Sequence, residues 1–211
     1  MAAPVPERRF KNPALFVCDI QEKFRPTIFE LDKVILTTRK MLLSSLHLSI
    51  PIFVTTQNRT RLGDTVSELK PLLQQAADKG LLQADLDKTR FSMYLPAIAS
   101  HPIFSSGKKA EVAIVGIESH ICVTQSALDL LAAGHRVYII ADGVSSSNKE
   151  EVGIALQRLR QAGAIVTSSE SWLYELMGDA AIPEFKGMVN VVKETMRDTR
   201  AALQGLLGSK I

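Results

Sequence analysis

Cysteine is scarce in this chain: only Cys18 and Cys122 among 211 residues. Two thiols make no disulfide framework, which predicts a reducing compartment, the cytoplasm first. Histidine is nearly as rare, and none of His47, His101, His120 and His135 offers the paired spacing of a metal site. No apolar run reaches the roughly 18 residues a membrane span needs. The first ten residues, MAAPVPERRF, lack the apolar stretch of a secretory signal. Charge of one sign is not in excess either. The net charge is +3 with Lys and Arg scattered, so no basic face for nucleic acid is indicated. Repeats, linkers and low-complexity segments are missing, which predicts a single domain over 1–211 with a core at about 12–180 and a helical C-terminal extension at 183–208.

What is present is apolar and periodic. At 46% hydrophobic residues the chain suits an α/β domain with a sizeable core. Short runs read as buried strands: Ala14–Ile20, Pro51–Gln57, Glu111–Ile117, Arg136–Asp142, Ala164–Glu170 and, more weakly, Leu81–Lys88. They are nearly continuous rather than alternating, the pattern of strands covered on both faces of a parallel sheet. Helical segments lie between them, with Leu128 and Leu131 on one side of the segment that Gly134 ends, and Gly163 ending another. Strand and helix in alternation predict right-handed βαβ units and a doubly wound sheet. The last residues, Ser209, Lys210 and Ile211, resemble a peroxisomal (or glycosomal) address with Ile for Leu; a frayed polar tail is the plainer reading.

Sites in open α/β sheets form beyond the carboxyl ends of strands. Three such ends carry chemistry here: CDIQEKF supplies Asp19, LDKTRFSMY supplies Lys88, and GIESHICV supplies Cys122 at the start of a helix. A thiol attacks as its thiolate, which a helix N-terminus and a nearby ammonium favour. A carboxylate in reach would take the thiol proton and return it to a leaving group, and Lys88 would hold that carboxylate ionised. From position alone the bland readings stay open: Cys122 as packing, Asp19 as a turn residue, Lys88 as a solvated charge. Gln21, two residues beyond Asp19, is a candidate substrate ligand on strand alternation. Phe24, Gln57 and Phe91 are candidate pocket walls. Arg59 and Arg61 read as solvated. Cys18 alternates away from Asp19 and reads as core, and His120 is spaced to point away from Cys122.

The stretches FVCDIQEKF, DKTRFSMY and AIVGIESHICVTQSALDLLAAGHRVYIIADGVSSS resemble the isochorismatase-like cysteine hydrolases, nearest to the eukaryotic isochorismatase domain-containing proteins. The resemblance runs from about residue 12 to 180. It implies a three-layer α/β/α sandwich around a mainly parallel six-stranded sheet, and an Asp19–Lys88–Cys122 triad. It also implies a non-proline cis peptide between Ile117 and Glu118, with the N–H groups of Glu118 and Cys122 aimed at an oxyanion, and a homo-oligomer, dimer or larger. Nicotinamidases of the family carry an Asp-x-His metal motif where this chain has Thr55 and Gln57. That departure points to a hydrolase without metal or cofactor, acting on a small-molecule amide or related carbonyl through a thioester. The alternatives are vinyl ether hydrolysis with Asp19 as the acid, and a non-enzymatic binding or scaffold protein on the same fold. No nucleic-acid or membrane partner is indicated.

Overall fold

The computed structural model of the protein describes residues 8–208, so the tripeptide Ser209, Lys210 and Ile211 lies outside the described residues. The strands are β1 (Pro13–Cys18), β2 (Ile52–Gln57), β3 (Leu82–Lys88), β4 (Glu111–Gly116), β5 (Arg136–Val144) and β6 (Ile165–Thr167). The helices are α1 (Leu31–Leu48), α2 (Arg59–Leu62), α3 (Lys70–Asp78), α4 (Pro96–Ala99), α5 (Pro102–Ser105), α6 (Thr124–Ala132), α7 (Lys149–Gln161), α8 (Ser169–Met177) and α9 (Phe185–Ala202). The strands form one six-stranded sheet in the order β3-β2-β1-β4-β5-β6, and every pairing is parallel. Each central strand is covered on both faces, which is why its sequence is continuously apolar.

Strand alternation sorts the core into two layers. Leu15, Val17, Ile52, Val54, Val115 and Ile140 pack with residues of α1, α3 and α8. Ala14, Phe16, Cys18, Phe53, Ile114 and Ile139 pack with Cys122 and with residues of α6 and α7. In α6 the buried stripe is Ser126, Ala127 and Leu130, while Leu128 and Leu131 are only partly covered. The last strand is shorter than its apolar run suggests. Ser168 caps α8 by accepting from the Ser171 N–H at 3.2 Å, and Asp142 accepts from the Ser169 N–H at 2.7 Å, so the helix starts early. Among the described residues no helix is long and apolar enough to cross a membrane.

The chain moves outward from β1 through β2 to β3, then returns to β4 on the other side of β1. That reversal makes β1 and β4 neighbours at a topological switch point, where open α/β sheets hold their ligands. The two strands meet closely at their carboxyl ends. Gly116 has φ +121°, and a Cβ there would lie 2.1 Å from the Cys18 carbonyl oxygen. Gly116→Ala is therefore expected to cost about 3 kcal/mol or more, a fall in Tm of roughly 6–12 °C. The control is Gly153→Ala, in an open position of α7, where alanine has space and stabilises by up to about 1 kcal/mol. Thermal melts of the two variants check the contrast.

Candidate active site

Alternation places Cys18, Thr55, Gln57 and Lys88 on the sheet face that carries Cys122, because each follows an even step from a residue of that layer. Asp19 would point to the opposite face if β1 continued. It does not, because Asp19 takes the left-handed conformation with φ +51°. This ends the strand at Cys18, short of the expected Ile20, and turns the carboxylate back toward its neighbour's side. The carboxylate is buried, with 1% of the residue exposed.

Its partners define the centre. Lys88 Nζ donates to Asp19 Oδ2 at 2.7 Å, and Thr55 Oγ1 donates to Asp19 Oδ1 at 2.8 Å. The two remaining Lys88 protons go to Gln57 Oε1 at 2.8 Å and to the Phe91 carbonyl at 3.1 Å. All three ammonium donors are thus engaged by protein acceptors. Gln57 Nε2 donates onward to the Thr89 carbonyl at 2.9 Å, so one amide ties β2 to the loop after β3. That loop is stitched to α6 as well: the Met93 N–H donates to Ser126 Oγ, which donates to the Cys122 carbonyl, at 2.8 and 2.6 Å.

Cys122 sits in a π-helical segment, Ser119–Val123, that leads into α6. It is 7% exposed and a free thiol. The peptide bond between Ile117 and Glu118 is cis. Around this turn, Glu118 Oε2 accepts from the N–H and hydroxyl of Ser147, each at 2.7 Å. His120 Nδ1 lies 2.9 Å from Ser146 Oγ, which also meets the Ser119 hydroxyl. His120 is thus engaged with the loop after β5 rather than with the cysteine.

Several candidates behave differently from the sequence expectation. Cys18 is fully buried in the core, as read from the sequence, and its sulfur also lies 3.7 Å from Asp19 Oδ2, because the left-handed turn at Asp19 breaks the alternation. Gln21 is equally buried, and its amide is spent on the backbone. It donates to the carbonyls of Gln57 and Gly63 at 3.1 and 2.6 Å and accepts from the Gln57 N–H at 2.7 Å. It is a brace between loops, not a group free for substrate. Phe24 lies in a short 3-10 turn against the layer of α1. Phe91 is 49% exposed, so its ring is free while its carbonyl holds Lys88. Thr55 was readable only as a departure from a metal motif; its spacing of two from Gln57, and the Gln57–Lys88 register, are the signals that mark it. Among the described residues no three His, Cys, Asp or Glu side chains are grouped to hold a metal ion. A cavity of about 360 Å³, lined by Phe10, Asn12, Pro13 and Pro51 among others, lies at the amino ends of β1 and β2, one strand length away from Asp19.

The electrostatics are coupled. Burial works against the Lys88 charge, but Cys18, Asp19 and Cys122 outweigh it and hold the ammonium above its ordinary value of 10.5. Burial pushes the Cys18 thiol well above its ordinary 9.0; its contacts with Cys122 and Asp19 push the same way, and Lys88 only partly opposes. In both groups the folded state keeps a proton that the unfolded chain gives up sooner. Their contribution is therefore complete below about pH 9 and lost as the pH rises above it, first through Cys18 and then, beyond 10.5, through Lys88. Denaturation midpoints are expected to be level in this respect from pH 6 to 8 and to fall from about pH 9, and Cys18→Ser should remove the earlier part of the fall. Lys88→Met leaves a buried carboxylate unpaired and is expected to cost about 3–5 kcal/mol. Adding Asp19→Asn should recover part of that loss in a urea-denaturation double-mutant cycle.

The sequence pattern of the Isochorismatase domain matches residues 13–171. A Phytophthora sojae protein, the secreted isochorismatase effector Isc1, is 42% identical over 186 residues, covering 88% of this chain and 87% of its own. Isochorismatase domain-containing protein 1 of Salmo salar is 38% identical over 84% of this chain and 60% of its own. The solved structure of MAR1 ribonuclease from Caenorhabditis elegans superposes with a TM-score of 0.75 at 39% identity, covering 86% of this chain and 90% of that one.

Proposed function

The chain belongs to the isochorismatase family, and we propose that within it this protein is a metal-independent cysteine hydrolase acting on a small-molecule amide or related carbonyl compound. The observation that supports the reading is the buried pair of Asp19, at the end of β1, with Lys88, at the end of β3, together with a free Cys122 thiol beyond β4 whose charge the same ammonium feels. The side chains of Thr55 and Gln57, at the two positions where the resemblance would place metal ligands, are instead committed to Asp19 and Lys88.

In this reading Asp19 takes the Cys122 proton, and the thiolate attacks the carbonyl carbon. The N–H groups of Glu118 and Cys122 receive the developing oxyanion, a kind of donor whose loss costs about 100–1,000-fold in rate. Collapse expels the amine, which leaves with the proton from Asp19, and a thioester remains on Cys122. Water then adds to the thioester with Asp19 again as base, and the acid and free thiol are released. Lys88, with all three donors engaged, acts by its charge and by fixing the carboxylate. The exposed Phe91 ring is the candidate wall for the substrate. The homo-oligomeric state and the cytoplasmic location belong to the same proposal.

Vinyl ether hydrolysis is the second reading, favoured by the name of the 42% identical effector. There Asp19 protonates the vinyl ether and the thiol is dispensable. A panel of small amides, an isochorismate-type vinyl ether and an RNA oligonucleotide separates these activities, the last because the nematode relative is called a ribonuclease. Asp19→Asn is expected to lower amide turnover by about 10²–10⁴-fold, and Cys122→Ala to abolish it together with the acyl adduct on the Cys122 peptide in mass spectrometry. Vinyl ether cleavage that survives Cys122→Ala, with no amide turnover by the wild type, would establish the second reading instead.

A further inference from the structure

The chain has two cysteines, far apart in sequence, and the fold brings both into one layer of the core, with Cys18 against the Asp19 carboxylate. Cys18 ends β1 in register with Gly116 of β4, and the turn that follows Gly116 delivers Cys122 to the same sheet face. Both thiols are free. Cys18 Sγ lies 3.7 Å from Asp19 Oδ2, Cys122 helps to hold the proton on Cys18, and Lys88 lies in the field of both sulfurs. Their exposure differs: Cys18 has none, whereas Cys122 keeps 7%. An oxidant from solvent therefore meets Cys122 first, with the second thiol buried in the same layer of the core.

We propose that Cys122 and Cys18 form a peroxide-sensing pair, in which Cys18 converts oxidised Cys122 into a reversible disulfide. The Cys122 thiolate attacks one oxygen of a hydroperoxide. An S–O bond forms, the O–O bond breaks, and the departing oxygen takes up the proton that the thiol had released. Cys18 sulfur then attacks the sulfenic sulfur. An S–S bond forms, the S–O bond breaks, and hydroxide leaves as water with the Cys18 proton, relayed by the adjacent Asp19 carboxylate. Two thiols have lost two electrons, and with hydrogen peroxide two waters are formed. A dithiol reverses the change by two exchanges and becomes a disulfide itself. While the bond stands, the nucleophile of the proposed hydrolase is masked; once reduced, it is restored instead of progressing to the irreversible sulfinic acid.

The inference rests on Cys122 being a reactive thiol. The full chain is treated with stoichiometric hydrogen peroxide, quenched, alkylated under denaturing conditions, and digested without reductant for mass spectrometry. The expected product is a peptide linking Cys18 to Cys122 within one chain, with dithiothreitol restoring both alkylatable thiols. Cys18→Ser and Cys18→Ala should lose the link and the recovery, with Cys122 trapped by dimedone and then passing to sulfinic acid. Wild-type protein that carries sulfinic acid on Cys122 while Cys18 still alkylates fully, or that links only between chains, would overturn the pair. If that occurs in protein that still hydrolyses amides, only the redox pair falls. Inertness of Cys122 toward both peroxide and alkylating agents removes the pair and the hydrolase reading together.

Discussion

The buried ion pair between Lys88 and Asp19 is the constraint from which the rest of the site follows. Taking both charges out of water is expensive, and attraction in the interior repays it only where further hydrogen bonds complete each group. Here they do: Thr55 completes the carboxylate, and Gln57 and the Phe91 carbonyl complete the ammonium. An apolar pair of similar volume would serve stability as well or better. A buried pair set beside a free thiol at a switch point is an arrangement of functional sites, where charge is organised in advance of a reaction.

The surrounding elements supply position rather than chemistry. Gly116 lets β4 approach the Cys18 carbonyl, and the turn beyond it carries Cys122 on the sheet face of Cys18. The loop after β5 holds that turn from outside through Ser146 and Ser147. Ser126 couples the thiol's own turn to the loop that supplies Phe91.

Much of this was legible in the sequence. Six apolar runs became six strands, because a doubly covered parallel sheet demands continuous apolar residues. The three chemical side chains stood at strand ends, and the pairing of Lys88 with Asp19 was expected from them. What was not legible has one physical origin. A left-handed backbone at a non-glycine residue has no reliable signature, and Asp19 adopts it. That single torsion ended β1 early, brought Cys18 and Asp19 to one side, and removed Gln21 from the strand alternation used to place it. The engagement of Thr55 and Gln57 depended in turn on cross-strand register, which local pattern leaves open.

The central claim is that the Lys88–Asp19 pair makes Cys122 a nucleophile. It is tested most directly by the alkylation rate of Cys122 at neutral pH, read by peptide mass spectrometry in wild type and in Lys88→Met, with Cys18 as the internal control and circular dichroism to verify folding. The account requires Cys122 to react at least about tenfold faster than Cys18, which burial shields from a reagent in solution, and to lose that advantage when the ammonium is removed. Equal rates for the two cysteines in folded wild-type protein, or a Cys122 rate indifferent to Lys88, would contradict it.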